Sequence, residues 1–243
     1  MADLRNFPQA GAGSGVAVDQ GLRSYMLRVY NYMSVGLVLT AVAAYATFNM
    51  AVVNGALTPF GEAIFMGPAK WLIILAPLAM VFFMSFRIHT LSLPAAQATF
   101  WIYAALVGVS FGSLGLIYTG ASIARVFLIT ALTFGSMSLY GYTTKRDLTG
   151  MGSFLFMGLV GLIVASLVNI FFQSSAMSFA LSVISVLIFT GFTAYDTQAI
   201  KETYYEGDGT TVAGHKAIMG ALRLYLDFIN LFLSLLRLFG NRN

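Results

Sequence analysis

Charged side chains divide this chain into long apolar runs. Residues 29–61, 71–86, 88–124, 126–144 and 148–195 carry no Asp, Glu, Lys or Arg. A helix needs roughly 20 mostly apolar residues to cross about 30 Å of hydrocarbon, and the runs are of that order or longer. The run 148–195 holds 48 residues, enough for two helices at about 1.5 Å per residue, with Gln173-Ser174-Ser175 as the turn between them. The pattern predicts spans near 29–49, 71–90, 95–118, 126–144, 151–172, 177–200 and 216–238. Pro77 kinks or starts the second span, and Pro94 breaks the chain before the third. The pairs Gly108/Gly112 and Gly158/Gly161 suit close helix packing.

The seventh span needs a separate argument, because its longest charge-free stretch is only 228–236. It crosses only if Arg223 and Asp227 lie within the membrane; the alternative is a re-entrant or interfacial helix. The pattern favours crossing. Lys216, Gly220, Arg223, Asp227, Asn230, Ser234 and Arg237 recur at spacings of 4, 3, 4, 3, 4 and 3, forming one polar or small stripe on an otherwise apolar helix. A helix surrounded by lipid would not carry such a stripe. One at the middle of a bundle can, with the stripe turned toward protein or water.

Composition agrees: 58% of the residues are hydrophobic and 9% charged, with mean hydropathy +0.82. A soluble domain carries about 25% charged residues, so too few are present here to cover a water-facing surface. The fold class expected is an all-α seven-helix membrane bundle over 25–243, preceded by a flexible tail at 1–24. That tail holds Pro8 and Gly11-Ala12-Gly13-Ser14-Gly15 without an apolar core, unlike a signal peptide. The 13 basic residues outnumber the 9 acidic ones, but they stand singly at span ends and form no nucleic-acid patch. With the N-terminus inside, Arg5, Arg23, Arg28, Arg87, Lys145, Arg146, Lys201 and Lys216 flank the inner ends, whereas Lys70, Arg125, Arg237 and Arg242 flank the outer ones. Eight against four places the N-terminus in the cytoplasm and the C-terminus across the membrane. Cysteine is absent, which removes disulfides and thiolate metal sites.

Ionisable residues within spans are functional candidates, because burying a charge in lipid is costly. Arg87, Asp196 and Asp227 qualify, and all three fall in the cytoplasmic half. If the two carboxylates approach, they cannot both stay ionised, and they titrate as a unit. Fully ionised, the pair offers the oxygen ligands a hard cation such as Ca²⁺ prefers, with Arg87 competing for the same site. Protonation, arginine pairing and cation binding then become three ways of neutralising one site. A purely structural reading stays open at this point. Arg223 and Asp227 at i, i+4 neutralise each other, Asp196 caps near the interface, and Arg87 snorkels to lipid phosphate. His89 and His215 stand at span ends and are not expected to hold a metal.

Two motifs carry a resemblance. Gly191-Phe192-Thr193-Ala194-Tyr195-Asp196-Thr197-Gln198, with Leu224-Tyr225-Leu226-Asp227-Phe228-Ile229-Asn230-Leu231-Phe232, resembles the Bax inhibitor-1 family, and Tyr30-Asn31-Tyr32-Met33 fits its bacterial branch. The likeness covers nearly the whole chain after about residue 22. It implies seven helices with the last one central, and a pH-sensitive calcium leak. The aspartate pair that senses pH falls on Asp196 and Asp227, which would also be the transient metal site. The arginine latch falls on Arg87, with Arg223 and Asn230 as a supporting polar stripe. The connector 201–216, with Glu202, Glu206 and Asp208, looks longer than in compact bacterial members.

Tyr195-Asp196 also matches the first motif of intramembrane aspartyl proteases. That family needs Gly-x-Gly-Asp at the second aspartate, and here Leu224-Tyr225-Leu226 precedes Asp227. A retinal protein needs a lysine within the seventh helix, and Lys216 stands at its start. No enzyme and no cofactor is therefore expected, and no nucleic-acid partner. The alternative to a channel is a non-transporting regulator of a membrane protease or stress response. Partners expected are lipid, calcium ion and other membrane proteins, such as a quality-control protease. The location expected is the inner membrane, multi-pass.

Overall fold

The computed structural model describes residues 11–243, with the side chains of 11–19 and His89 excepted. Seven helices are long and apolar enough to cross a membrane, making this an all-α membrane protein. They are α1 (Gly11–Ala51), α2 (Ala69–Arg87), α3 (Leu93–Phe111, continued by a turn at Leu114–Ile117), α4 (Gly120–Thr143), α5 (Thr149–Phe172), α6 (Ser175–Glu202) and α7 (Thr210–Phe239). A two-stranded hairpin, β1 (Val52–Val53) with β2 (Ala56–Leu57), links α1 toward α2. Residues 1–10 lie outside the described residues.

The helix ends follow local chemistry. Ser92 accepts a hydrogen bond from Ala95 N, and Pro94 sits in the first turn of α3, where its missing N–H costs nothing. Thr119 caps α4 in the same way, starting it before Arg125 rather than after it. Gln173 ends α5 in the left-handed conformation with φ 47°, and Ser174 caps α6 through Met177 N. The turn expected at 173–175 is therefore built by two complementary caps. Pro77 lies inside α2. The largest departure from expectation is at the N-terminus: the stretch 11–24, expected as part of a flexible tail, is continuous with the first helix. Nothing after Pro8 forbids helix, and the glycines cost only about 1 kcal/mol each against a long propagating helix.

α7 is the axis of the bundle. Its crossing segment is 67% buried, against 6% to 33% for the other six. It packs chiefly on α1, α3, α4 and α6, while α2 leans on α3 and α5 on α6 from outside. The stripe of small and polar residues fits this position, since a helix surrounded by lipid would not carry it. Tyr225 anchors it. Its ring is fully buried and meets Phe100 and Tyr103 edge to face at 6.0 and 5.5 Å. Its hydroxyl lies 2.6 Å from Thr40 Oγ1, which in turn reaches the carbonyls of Gly36 and Ala104 at 2.9 Å. With the Thr40 proton used on a carbonyl, Tyr225 is the donor to Thr40.

Close crossings depend on glycine. A Cβ at Gly108 would fall 2.5 Å from Thr40 O, and one at Gly141 would fall 2.2 Å from Ala194 O. Of the pair Gly158/Gly161, only Gly158 faces a neighbour, Ile188, while Gly161 meets open space.

The two ends are tied differently. At the C-terminal face, Asn243 N donates to Ile117 O and Thr119 N donates to Asn241 O, strapping the last residues over the α3–α4 link. At the opposite face, the Gln198 amide bridges the α4–α5 link by accepting from Leu148 N and donating to Arg146 O. Lys216 donates to Asp208 Oδ2 and Thr203 O, fastening the α6–α7 connector to α7.

Candidate functional site: a carboxylate pair at the end of a polar cavity

The stripe on α7 divides at its middle. Lys216 turns to the connector and Gly220 packs against Ile200 and Val29. From Arg223 onward, the positions Arg223, Asp227, Asn230, Ser234 and Arg237 all line one cavity of about 1300 Å³ between α5, α6 and α7. α5 does not pack closely on α7, although both flank α6, and the cavity occupies that space. Its mouth holds Asn169, Gln173, Arg237 and Arg242, at the face where α7 ends. Asp196, Asp227 and Arg223 lie farthest toward the other face. No lining residue of α6 follows Asp196, and none of α7 precedes Arg223. The lining thus runs along the stripe and ends at the carboxylates.

Asp227 is buried, with 5% of its surface exposed, and Asp196 is half-buried. Their carboxyl groups lie within hydrogen-bonding reach of each other. A hydrogen bond between two carboxyl groups carries one proton, because two carboxylates have only acceptors. The second Asp227 oxygen, Oδ2, is buried without a hydrogen-bond partner among the described residues. A buried acceptor left unpaired costs about 1–3 kcal/mol. That oxygen is the open valence of the site.

Arg223 is the cation whose field reaches both carboxylates. It is one turn before Asp227 on α7 and is exposed to the cavity. Arg87, the residue expected as a latch, is exposed at the end of α2, a helix that packs on α3 and not closely on α7. Among the described residues the ion pair present is Lys216–Asp208, so Arg87 is not engaged with either aspartate. In this arrangement it is Arg223, and not Arg87, that stands beside the pair. The resemblance pointed to the second helix, whereas the i, i+4 spacing of Arg223 and Asp227 already named the local partner.

The facing wall on α6 escaped the sequence reading. Ser178, Ser182 and Ser185 line the cavity opposite the α7 stripe. Ser182 and Ser185 donate to the carbonyls of Ser178 and Leu181, and Asn169 Nδ2 donates to Ser178 Oγ. Spacings of 4 and 3 were the available signal, masked because serine alone is common in packed membrane helices.

Among the described residues no group of three or more His, Cys, Asp or Glu side chains converges. Ca²⁺ takes six to eight oxygens in a lasting site. Asp196 and Asp227 alone offer fewer than that.

The family described as inhibitor of apoptosis-promoting Bax1 matches residues 22–243. The chain is 52% identical over 226 residues to an uncharacterized protein of Rickettsia prowazekii, covering 92% of each. It is 47% identical over 241 residues to the inner membrane protein YbhL of Escherichia coli strain K12, covering 98% of this chain and all of the other. An uncharacterized membrane protein of Streptococcus pyogenes is 38% identical over 232 residues, covering 93% of this chain and 96% of that one.

Proposed function

The chain belongs to the Bax inhibitor-1 family, and on that premise we propose that it is a pH-sensitive calcium leak whose pathway is closed at Asp196, Asp227 and Arg223. It is a multi-pass inner membrane protein. The observation that carries the reading is the cavity of about 1300 Å³ that runs along the polar stripe of α7 and ends on the carboxylate pair.

The chemistry follows from charge balance. One proton shared by two carboxyl groups leaves one negative charge, which Arg223 offsets. A second proton would leave Arg223 uncompensated in a poor dielectric, where an unpaired buried charge is costly. The guanidinium then moves toward water and the contact between α6 and α7 loosens. Acid therefore opens the closed end. Loss of the shared proton leaves two repelling carboxylates, a site that a divalent cation from the vestibule neutralises. Ser178, Ser182, Asn230 and Ser234 supply neutral oxygens along the approach. Arg87 enters this scheme as a residue that engages the pair in another arrangement of α2.

A second reading is supported by the mouth of the cavity. Arg237 and Arg242 stand there, and two cations at an entrance repel a third. A regulator that binds another membrane protein, with the charge pair acting as a buried switch, is compatible with that feature. Calcium-dye liposomes containing only the purified protein separate the readings. Flux above protein-free vesicles is expected for the leak, and it should be high at every pH in the Asp196→Asn/Asp227→Asn double variant, which carries the charge of the doubly protonated pair. No flux at any pH would leave the regulator.

A further inference from the structure

A second cavity lies on the other side of α7. It measures about 840 Å³ and is bounded by α1, α3, α4 and α7 in the half of the bundle nearest the C-terminus. That volume is in the range of roughly 300–1,000 Å³ typical of small-molecule sites. Its back wall is Phe228, Ile229 and Phe232, and exposed Tyr45 and Leu128 stand at the mouth. α1 and α4 both pack on α7 but not closely on each other, so the cavity opens between them onto the lipid. The hydroxyl of Thr40, in the lining, is already committed to Tyr225 and two carbonyls. The interior thus offers little to water, and apolar cavities of this kind take apolar guests.

We propose that this cavity is a binding site for one acyl chain of an anionic phospholipid from the leaflet on the C-terminal side. The headgroup determinant is Arg125. It is exposed, makes no ion pair within 4 Å among the described residues, and precedes Leu128 by one turn near the start of α4. That depth is the level at which an arginine snorkels to phosphate. A phosphate held at Arg125 directs its chain past Leu128 into the gap. Inside, the chain contacts Phe228 and Phe232, which Phe127 already braces at 5.3 and 6.1 Å. These faces of α7 point away from the wall formed by Asp227, Asn230 and Ser234. The site therefore buttresses the central helix without entering the polar cavity.

Gly120 provides the test. A Cβ there meets no heavy atom within 4 Å, although the residue lines the cavity. Gly120→Trp should fill the mouth without disturbing the bundle. Native mass spectrometry of the full chain in detergent, titrated with phosphatidylglycerol or phosphatidylcholine, reads occupancy. The wild type should retain a single phosphatidylglycerol. Gly120→Trp should weaken it at least about tenfold while keeping the wild-type melting temperature. Arg125→Gln should bind both lipids equally. If Gly120→Trp does not fold, Ala41→Leu fills the site from the opposite wall and should give the same loss. Unchanged retention in a folded filling variant, no retained lipid in the wild type, or a detergent adduct that phosphatidylglycerol does not displace would overturn the assignment.

Discussion

The hydrogen bond between Tyr225 and Thr40 holds the central helix against α1, two residues from Asp227, and its energetics can be worked from the geometry. In Tyr225→Phe, the Thr40 hydroxyl keeps its carbonyl acceptors at 2.9 Å, so one bond is lost and no group is stranded. Interhelical hydrogen bonds in membranes average about 0.6 kcal/mol, with about 1.7 as an upper value. Thr40→Val is worse, because it leaves a fully buried phenol without its partner, at about 1–3 kcal/mol. The double variant removes both polar groups, and no unpaired atom remains. It should therefore cost less than the sum of the single variants, with a coupling of roughly 0.5–2 kcal/mol. Reversible unfolding of all four proteins in one fixed detergent measures this. Additivity within about 0.3 kcal/mol would mean that the bond does not hold α7 in place. Tyr225→Ala, by contrast, opens a cavity beside Phe100 and Tyr103 and should cost about 3–5 kcal/mol.

Other consequences are as direct. Topology reporters should place the N-terminus in the cytoplasm and residue 243 on the far side; a cytoplasmic reading at 243 would contradict the seventh crossing. Gly141→Leu should prevent folding, because its Cβ meets Ala194 O at 2.2 Å, whereas Gly161→Leu should express normally, having open space. Asp147 lies outside the spans and accepts from Thr149 N, and the hydrogen bonds from Thr149 hold its carboxyl below the usual value. Its contribution is thus present above the ordinary carboxylate range and lost as pH falls through the lowered value. Asp147→Asn should remove that acid-side loss at the start of α5; hydrogen exchange at Thr149 that remains equally acid-sensitive in the variant would refute it.

Much of this arrangement was legible because membrane burial leaves a plain record. Charge-free runs marked six of the spans, and the 4,3 stripe on α7 favoured a helix turned toward protein, the central place itself being what the resemblance implied. Cost in lipid singled out Asp196 and Asp227, and the resemblance to the family paired them. What the sequence left open depended on helix rotation. Arg87 and Arg223 each had a charge and a plausible depth, and only the packing of α2 on α3 separates the first from the site. The α6 serines carried the right period but too common a residue type. The apolar cavity left no pattern, because a helix facing a gap and a helix facing lipid present the same side chains. The helical extension of α1 to Gly11 was hidden by a glycine-rich composition that merely weakens a helix.

The central claim is that pH control resides in the carboxylate pair. Calcium flux through liposomes containing the purified chain, recorded from acid to neutral pH, tests it. Wild-type flux should rise in acid as Arg223 loses its counter-charge. Arg223→Gln should raise flux at neutral pH. Asp196→Asn and Asp227→Asn should each move the profile, because the remaining carboxyl titrates without its neighbour, and the double variant should flatten it. Two aspartate variants that keep the wild-type pH profile would contradict the account.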